Sequence, residues 1–417
     1  MNELERAIRL RELHRPEEAV AVLMSYLAKE PEDAAAHEQL AWTRYGMEGQ
    51  GKAALQSVET AIGLEPEDSE LFALKALILV KLDRDSDALT AAEAAIALHP
   101  GNPFAWAAKA SALGGLQQWA NAEQACRQAL QLDPDDDFAL NQLSIFLRMQ
   151  GKTGDSALEA GKRLSRAAED PVAHANSGWV ALQTNDLKKA EEHFREALRL
   201  DPSMEYARTG LREAYRARSF IYRGFLKWVF FMQKFSEKQQ WLIVIGLLFG
   251  VRLGRALLEQ VDARLAIALG ILYAVFAFGM YLAPGIGSFL LLKDPMARLA
   301  LTRSERLEGF FVGGAFFAGL AVVAATFVGL PKVFITLGVT LILAGVPGSQ
   351  FWDNRSPAGR LVFGGLMGLV YGSGLFVFYH LLTSGTLRGE ALSLGLLAVI
   401  GTTWLSLVSG LRRAKAE

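Results

Sequence analysis

Cysteine is almost absent from this sequence, and its scarcity excludes a disulfide framework. Cys126 is the one cysteine among 417 residues, so no intrachain disulfide can form, which is typical of proteins that fold in a reducing compartment. The first stretch, MNELERAIRLRELHRPEEAV, also lacks the apolar core of a secretory signal peptide. Together the two absences predict that the N-terminal part of the chain lies in the cytosol.

Charged residues are scarce in the second half of the chain, although the whole-chain average conceals this. Residues 1–202 carry 21 basic and 33 acidic side chains, a net charge of −12, whereas residues 203–417 carry 22 basic and 11 acidic ones, a net charge of +11. An acidic, alanine-rich half is typical of a water-soluble domain. Long uncharged runs in the other half are typical of helices that cross a membrane.

The first half contains an internal repeat of about 34 residues. Six prolines divide it, with gaps of 35, 34, 34, 37 and 31 residues, and an alanine stands twelve residues before five of them. The wide fourth gap predicts that the fifth repeat is stretched. The prolines are Pro31, Pro66, Pro100, Pro134, Pro171 and Pro202, and the alanines are Ala19, Ala54, Ala88, Ala122 and Ala190.

These units resemble the tetratricopeptide repeat, in which two antiparallel helices form each unit. Small residues let the paired helices approach closely, large residues fill the space between them, and proline ends the second helix. The chain as a whole is similar to bacterial tetratricopeptide proteins that carry a C-terminal membrane region. The matching positions are Trp106, Ala110, Ala122, Ala129 and Pro134 in the fourth repeat, and Gly178, Ala181, Ala190, Phe194, Ala197 and Pro202 in the last.

The resemblance implies a right-handed solenoid whose concave surface binds other proteins or peptides, and it implies no catalytic residues. Relatives that clamp a terminal carboxylate use Lys, Asn and Arg, where this chain has mostly Ala, Leu and Phe. A groove with aromatic and amide groups suits an apolar or basic segment instead, and the acidic charge favours a basic one. No nucleic acid is expected. The expected groove residues are Leu77, Phe104, Ser111, Phe138, Asn141, Ile145, Asn176 and Trp179. An alternative stays open, in which several of these side chains only pack between helices.

Four segments of the second half, 265–283, 309–330, 361–382 and 391–411, are apolar for long enough to cross a bilayer, which takes roughly 20 helical residues. Of two further candidates, the first along the chain is interrupted by Arg252 and Arg255, and Pro347 is expected to break the fourth near one end. A capping box at Thr302 and Glu305 and an N-cap at Ser356 predict where two of the helices begin. The predicted spans are 241–258, 265–283, 309–330, 333–352, 361–382 and 391–411.

The distribution of cations favours six crossings over five. With a cytosolic N-terminus and six spans, nine cations face inward and five face outward, as the positive-inside rule requires. Five spans would reverse this bias, so the C-terminus is expected in the cytosol. The inward set is Lys293, Arg298, Arg303, Arg306, Arg355, Arg360, Arg412, Arg413 and Lys415, and the outward set is Arg252, Arg255, Arg264, Lys332 and Arg388.

The segment between the two halves, residues 216–239, is predicted to be an amphipathic helix that lies in the membrane interface. At about 100° per residue its cations fall within an arc of roughly 60°, and most other side chains are aromatic or aliphatic. The apolar face would enter the acyl boundary while the cations meet anionic lipid headgroups. A seventh span is the alternative. The cations are Arg216, Arg223, Lys227, Lys234 and Lys238.

Glycine recurs every fourth residue on the first and fifth predicted spans. Such faces allow helices to approach closely in lipid, either within the bundle or in a homo-oligomer, and a glycine-lined conduit is the alternative. Gly309 and Gly313 form a shorter case. The two longer sets are Gly246, Gly250 and Gly254, and Gly364, Gly368 and Gly372.

The apolar half contains no recognisable catalytic arrangement. The stretch YGSGLFVFYH invites comparison with rhomboid proteases, but Tyr371 replaces the first glycine of their Gly-x-Ser-Gly motif. His380 lies seven residues after Ser373 on the same helix, about 10 Å along its axis. We therefore predict no enzyme, no cofactor and no metal.

The sequence thus predicts an all-α protein of three parts. Residues 1–215 form a cytosolic tetratricopeptide solenoid of about six repeats with a capping helix, residues 216–239 form the interfacial helix, and residues 240–412 form the membrane bundle of about six helices. The predicted function is a scaffold that assembles protein partners at the cytoplasmic membrane. A channel or a lipid or small-molecule transporter regulated by the repeats is the alternative.

Overall fold

The structure is a computed structural model that describes residues 3–406 except 295–297, 299, 353 and 355, together with residues 408 and 411. Within these residues it is built from helices and contains no strand, which confirms the predicted all-α fold class. Four of the nine predicted inward cations, Arg355, Arg412, Arg413 and Lys415, lie outside the described residues.

Residues 3–216, all of them described, fold into six antiparallel helix pairs and one further helix. Helices of successive pairs pack against each other along the chain, so the pairs stack into a solenoid. The pairs are α1 (Glu3–Glu12) and α2 (Pro16–Leu27), α3 (Ala34–Gly46) and α4 (Gly51–Leu64), α5 (Ser69–Lys81) and α6 (Asp85–Leu98), α7 (Pro103–Gly115) and α8 (Trp119–Leu132), α9 (Asp137–Met149) and α10 (Thr153–Arg166), and α11 (Pro171–Gln183) and α12 (Leu187–Leu200), followed by α13 (Glu205–Arg216).

An aspartate or asparagine starts the first helix of each pair from the second repeat onward. Asp33, Asp68, Asn102, Asp136 and Asp170 each accept a hydrogen bond from a backbone N–H in the first turn of the helix that follows. Such N-caps satisfy donors that have no partner inside the helix. The caps are 35, 34, 34 and 34 residues apart, so the helix register is uniform.

The predicted stretching of the fifth repeat is therefore wrong. Pro134 precedes its N-cap by two residues, whereas Pro171 follows the N-cap Asp170 and is the first residue of α11. Proline is tolerated at that position because its missing N–H would have no helical partner. The proline therefore differs in its position relative to the N-cap, while the spacing of the helix starts is unchanged. Ser156 takes the place of the repeat's alanine, and its Oγ donates to Ser144 O at 2.6 Å.

The second half consists of one short helix and a bundle of longer ones. Within the described residues, five helices are long and apolar enough to cross a membrane, α15 to α19. The sixth predicted span is represented by α20, whose 17 residues extend roughly 25 Å and lie at the lower limit for a crossing. The helices are α14 (Phe220–Met232), α15 (Glu237–Glu259), α16 (Ala263–Leu291), α17 (Arg303–Val328), α18 (Phe334–Trp352), α19 (Pro357–Ser384) and α20 (Gly389–Leu405).

The helix starts in the bundle follow the predicted capping chemistry, but the predicted break does not occur. Thr302 N donates to Glu305 Oε2 at 2.8 Å, and Gly359 N donates to Ser356 Oγ at 3.3 Å. Pro347, however, lies inside α18 and is buried there. Prolines are tolerated inside bundle helices because neighbouring helices and local adjustments re-satisfy the freed backbone groups.

Candidate functional site

Aromatic side chains of the second to fourth repeats meet at the predicted groove. The rings of Trp42 on α3 and Phe104 on α7 meet with their centroids 5.8 Å apart, although the two helices belong to repeats that are not adjacent. Tyr45 packs edge-on against Trp42 at 6.0 Å. Beneath them Leu77 is 5% exposed and belongs to the apolar core.

Polar side chains of the fourth to sixth repeats form hydrogen bonds at the predicted groove. Gln142 Nε2 donates to Ser111 Oγ, and Asn176 Nδ2 donates to Asn141 Oδ1 at 3.4 Å. Asn176 itself is 2% exposed, and its Oδ1 has no hydrogen-bond partner among the described residues. In the fifth repeat Phe138 is exposed and Ile145 is half-buried.

The eight residues predicted for the groove therefore divide into two sets. Leu77 and Asn176 are buried, so the alternative that some of these side chains only pack between helices holds for them. Because the remaining six keep exposed surface, they stay as predicted contacts. They are Phe104, Ser111, Phe138, Asn141, Ile145 and Trp179.

A buried arginine in the groove was not predicted. Arg148 on α9 is 6% exposed, and its guanidinium carbon lies 5.5 Å from the centroid of the Trp179 ring. Trp179 also packs against Tyr206 of α13 at 5.6 Å. Among the described residues Arg148 forms no ion pair with a carboxylate, so the cation is stabilised by the aromatic face. Its position, three residues after Ile145 on the groove face of α9, was the signal that could have identified it.

A buried ion-pair network joins the solenoid to the bundle. Arg216, the last residue of α13, is 7% exposed, and its guanidinium donates to Glu213 Oε1, to Glu305 Oε1 and to Ser288 Oγ, each at 2.9 Å. Arg212 lies 3.4 Å from the same Glu305 oxygen. The glutamate that caps α17 thus also binds two arginines of the solenoid.

The surroundings of Arg216 keep it charged despite its burial. Burial alone would lower the pKa of Arg216, but Tyr222, Glu213 and Glu305 outweigh it, so the pKa stays above its ordinary value. Tyr222 Oη donates to Glu213 Oε2 at 2.5 Å, and burial raises the pKa of that phenol well above its usual range. Gly287 of α16 leaves the space that Arg216 and Tyr222 occupy.

The predicted continuous cationic stripe is wrong, because residues 216–239 do not form one helix. Arg216 ends α13 and is buried in the junction, whereas α14 begins only at Phe220. Arg223 and Lys227 lie on α14, Lys234 follows its end, and Lys238 lies in the first turn of α15. The chain bends at residues 217–219 and again at 233–236, so the arc that was derived for one straight helix does not apply.

Helix α14 nevertheless has two different faces. Tyr222, Leu226 and Phe230 recur every fourth residue, are at most 6% exposed and share one apolar cluster with both solenoid and bundle residues. On the opposite side Phe220 and Phe231 are exposed, at 79% and 42%, and Lys227 lies on the same exposed side. Solenoid and bundle residues together thus cover one face of α14 and leave an aromatic and cationic face open.

The end of α14 is fixed to the turns of the solenoid. Trp119 Nε1 donates to Gln233 O at 2.9 Å. The side chain of Lys234 lies against Gly151, which has a positive φ of 79° in the turn between α9 and α10. These contacts and the junction hold the solenoid against the bundle at both ends of α14.

The glycines at which helix backbones approach most closely differ from most of those predicted to pack helices together. A Cβ atom at Gly246, Gly250, Gly368 or Gly372 would meet nothing within 4 Å, whereas Gly254 and Gly364 have a neighbouring side chain at 3.2 Å. Helices α16 and α17 cross where a Cβ at Gly309 would lie 2.9 Å from the backbone of Ser288 and Phe289. The sites where a Cβ would meet another helix's backbone closely are Gly309, Gly313, Gly319 and Gly338.

Hydroxyl groups inside the bundle are satisfied by their own helices. Ser373 Oγ donates to Val370 O at 3.2 Å, Thr402 Oγ1 to Ala398 O at 2.9 Å and Thr340 Oγ1 to Thr336 O at 2.7 Å. Ser373 is therefore engaged with its own backbone.

Two family models, each described as tetratricopeptide repeat, match this chain, one at residues 48–103 and 73–137 and the other at residues 171–204. Comparison with curated proteins gives no match. Among solved structures, a tetratricopeptide repeat protein from Parabacteroides merdae is 16% identical with a TM-score of 0.45, over 50% of this chain and 82% of that one. A thermophilic repeat protein of Thermus thermophilus is 18% identical with a TM-score of 0.41, over 44% of this chain and 98% of that one.

The matched segments coincide with the helix pairs. Residues 48–137 run from the turn before α4 to the start of α9, and residues 171–204 span α11 and α12. The uniform N-cap spacing extends the same unit across the intervening repeat, where Ser156 is fully buried at the position that Ala54, Ala88 and Ala122 hold in the earlier repeats. The N-terminal half of this chain is a solenoid of tetratricopeptide repeats, a fold that serves protein–protein interaction.

Proposed function

We propose that this chain is a scaffold anchored in the cytoplasmic membrane, which holds protein partners in the groove of its solenoid on the cytosolic side. The observation that carries the proposal is the buried junction of Arg216 with Glu213, Glu305 and Ser288. A repeat domain on a flexible tether would not need buried charges at its attachment. Because buried ion pairs tolerate little misalignment, the junction fixes the groove relative to the apolar helices.

The proposed orientation is supported by the end of the bundle at which the solenoid lies. Arg216 contacts the start of α17, and Arg218 Nη1 lies 3.2 Å from Asp294 Oδ2 in the connection before it. That connection and the first turns of α17 carry four of the cations assigned to the inner side. The positive-inside rule therefore favours a cytosolic solenoid.

The exposed face of α14 supports contact with lipid headgroups. Phe220 and Phe231 can enter the acyl boundary while Lys227 and Lys238 meet anionic headgroups. The proposed lipid-facing cations are thus these two lysines with Arg223, since Arg216 is buried in the junction and Lys234 lies against Gly151 of the solenoid.

The scaffold role is tested by crosslinked co-purification from native membranes with two matched full-length variants. Phe138→Glu places a charge on the groove side of the fifth repeat. Leu158→Glu places the same charge on α10 of that repeat, at a leucine that is 58% exposed. A partner that is lost with Phe138→Glu and kept with Leu158→Glu supports the groove. The same proteins captured with both variants would argue against it.

One observation favours the alternative of a regulated channel or transporter. Helix α17 contains a π-helical turn, Gly309–Gly313, directly after the buried Glu308 and one turn beyond the junction residue Glu305. Such turns are frequent at functional sites. Purified full-length protein in liposomes tests the alternative: ion flux or lipid movement above that of empty liposomes, altered by Gly368→Leu, would support it. If liposomes that contain the protein behave like empty ones, the alternative is wrong and the scaffold role stays as the proposal.

A further inference from the structure

The sixth repeat brings two histidines together that lie 19 residues apart in the sequence. His174 on α11 and His193 on α12 approach with their Nδ1 atoms 3.1 Å apart. Two imidazole nitrogens bound at about 2.0–2.1 Å to one metal ion, and about 90–110° apart, are separated by about 2.9–3.4 Å. The spacing of the two Nδ1 atoms falls inside this range.

A backbone contact fixes the tautomer of His174. Its Nε2 lies 3.0 Å from Ala168 O, and because a carbonyl oxygen can only accept, Nε2 carries the hydrogen. In the neutral ring Nδ1 is then the nitrogen with the free lone pair, and it points at His193. Metal-binding histidines usually donate their second ring N–H to a carbonyl or carboxylate in this way.

The position of His193 also suits a metal ligand. Its Nδ1 faces the Nδ1 of His174 at 3.1 Å, and both histidines are only half-buried, so an ion can reach them. Without a metal, His193 Nδ1–H can donate to His174 Nδ1; with a metal, His193 carries its hydrogen on Nε2 and both Nδ1 lone pairs are available.

We propose that His174 and His193 bind one divalent transition-metal ion of the kind that favours imidazole, such as zinc, copper or nickel. Among the described residues no third histidine, cysteine, aspartate or glutamate completes the set. The remaining coordination positions are open to water or to a side chain of a bound partner. The site is independent of the scaffold role, since it requires only the helix pair α11 and α12.

The chain contains a matched control for this site. His37 lies four residues after the N-cap Asp33, as His174 lies four residues after the N-cap Asp170, and its Nε2 makes the equivalent contact with Pro31 O at 2.9 Å. Among the described residues no second histidine faces His37. His37→Asn therefore removes an imidazole from the same place in the repeat without removing the proposed metal site.

The experiment uses tag-free full-length protein in detergent micelles, stripped of metal and titrated with Cu²⁺ at pH 7.5. We expect one equivalent bound, with a paramagnetic resonance spectrum showing two nitrogen ligands. His174→Asn and His193→Asn should each weaken binding by at least about tenfold, and His37→Asn should bind as the wild type. Circular dichroism shows whether each variant has kept its helices.

Two results would overturn the site. The wild-type protein could take up no stoichiometric copper, in which case the histidines share only a hydrogen bond. Alternatively, copper could bind equally to all three variants, in which case its ligands lie elsewhere. If one variant fails to fold, the number of nitrogens in the wild-type spectrum and the other variant still decide the question.

Discussion

The solenoid and the bundle both need helices that approach closely, and they meet this need with different residues. In the solenoid the contact positions are alanines such as Ala54, Ala88 and Ala122, which are fully buried. In the bundle they are glycines such as Gly309 and Gly313, where helix backbones meet directly. In water, a methyl group buried between helices adds hydrophobic stabilisation. In lipid, burial adds little, and close backbone packing holds helices together instead.

The two regions also treat charge differently, and the junction combines both. Ion pairs on the solenoid are mostly exposed, as at Arg199 and Glu196, and such pairs contribute little. At the junction Arg216 and Glu305 are 7% and 13% exposed. Charges are buried at the place where the aqueous domain meets the apolar one, so we expect the largest effects of mutation there.

Arg216→Ala should have the largest effect. It leaves Glu213 and Glu305 buried without their main partner, and breaking a buried pair in this way typically costs about 3–5 kcal/mol. We expect the free energy of unfolding of the purified protein to fall by that amount, and residues 217–219 to become sensitive to protease. Arg199→Ala, which removes the exposed pair with Glu196 on α12, is the control and should leave both unchanged. Equal effects of the two changes would show that the junction does not hold the halves together.

Gly313→Ala should have the next largest effect, because it places a solenoid-type residue in a bundle contact. The new Cβ would meet the backbone of Gly285 and the side chain of Phe289. Overpacking of this kind costs about 1–3 kcal/mol. Gly368→Ala is the control, since a Cβ there meets nothing within 4 Å. Unfolding of both proteins in micelles measures the difference. If Gly313→Ala is as stable as Gly368→Ala, glycine is not required at the crossing.

Thr302→Ala should have a smaller effect and separates the two roles of Glu305. The hydroxyl that accepts from Glu305 N at 3.3 Å is lost, which costs about 1 kcal/mol for an N-cap. The carboxylate of Glu305 remains to bind Arg216, so protease resistance at residues 217–219 should be kept. Exposure of that segment would mean that the cap, rather than the ion pair, positions α17.

Prediction from sequence succeeded where local chemistry determines the structure. The proline and alanine spacing locates the helix pairs, and the caps at Thr302 and Ser356 locate two helix starts in the bundle, because each acts within one or two turns. The register of the fifth repeat was mispredicted because Pro171 obeys a different local rule, that of the first helical position. The prediction of a cationic stripe was wrong because the bends after Arg216 and at residues 233–236 depend on partners such as Glu305 and Trp119, which are distant in sequence.

Contacts across long sequence separations account for what the sequence did not reveal. Arg148 and Trp179 come from different repeats, and His174 and His193 from different helices. Nothing in the spacing of either pair marks it as a contact until the helices are packed. By contrast, Gly246 and Gly250 follow a recognisable four-residue pattern, but a Cβ atom at either position would meet no described atom within 4 Å.

The last prediction concerns acid, and it tests whether an ion-paired carboxylate of the solenoid, Glu123, contributes proton-linked stability. Partial burial acts to raise the pKa of Glu123, but hydrogen bonds from Lys152, Gln150 and Arg127 outweigh it and lower the pKa from 4.5 to about 2. A lowered pKa in the folded state means that Glu123 stabilises the fold fully above pH 4.5. That contribution is lost as the pH falls from 4.5 to about 2. The melting temperature of the wild type should therefore fall more steeply over this interval than that of Glu123→Gln, and the two curves should converge near pH 2. Curves that stay parallel from pH 7 to pH 2 would show that this cluster holds no proton-linked stability, and the contrast between the two regions would then rest on packing alone.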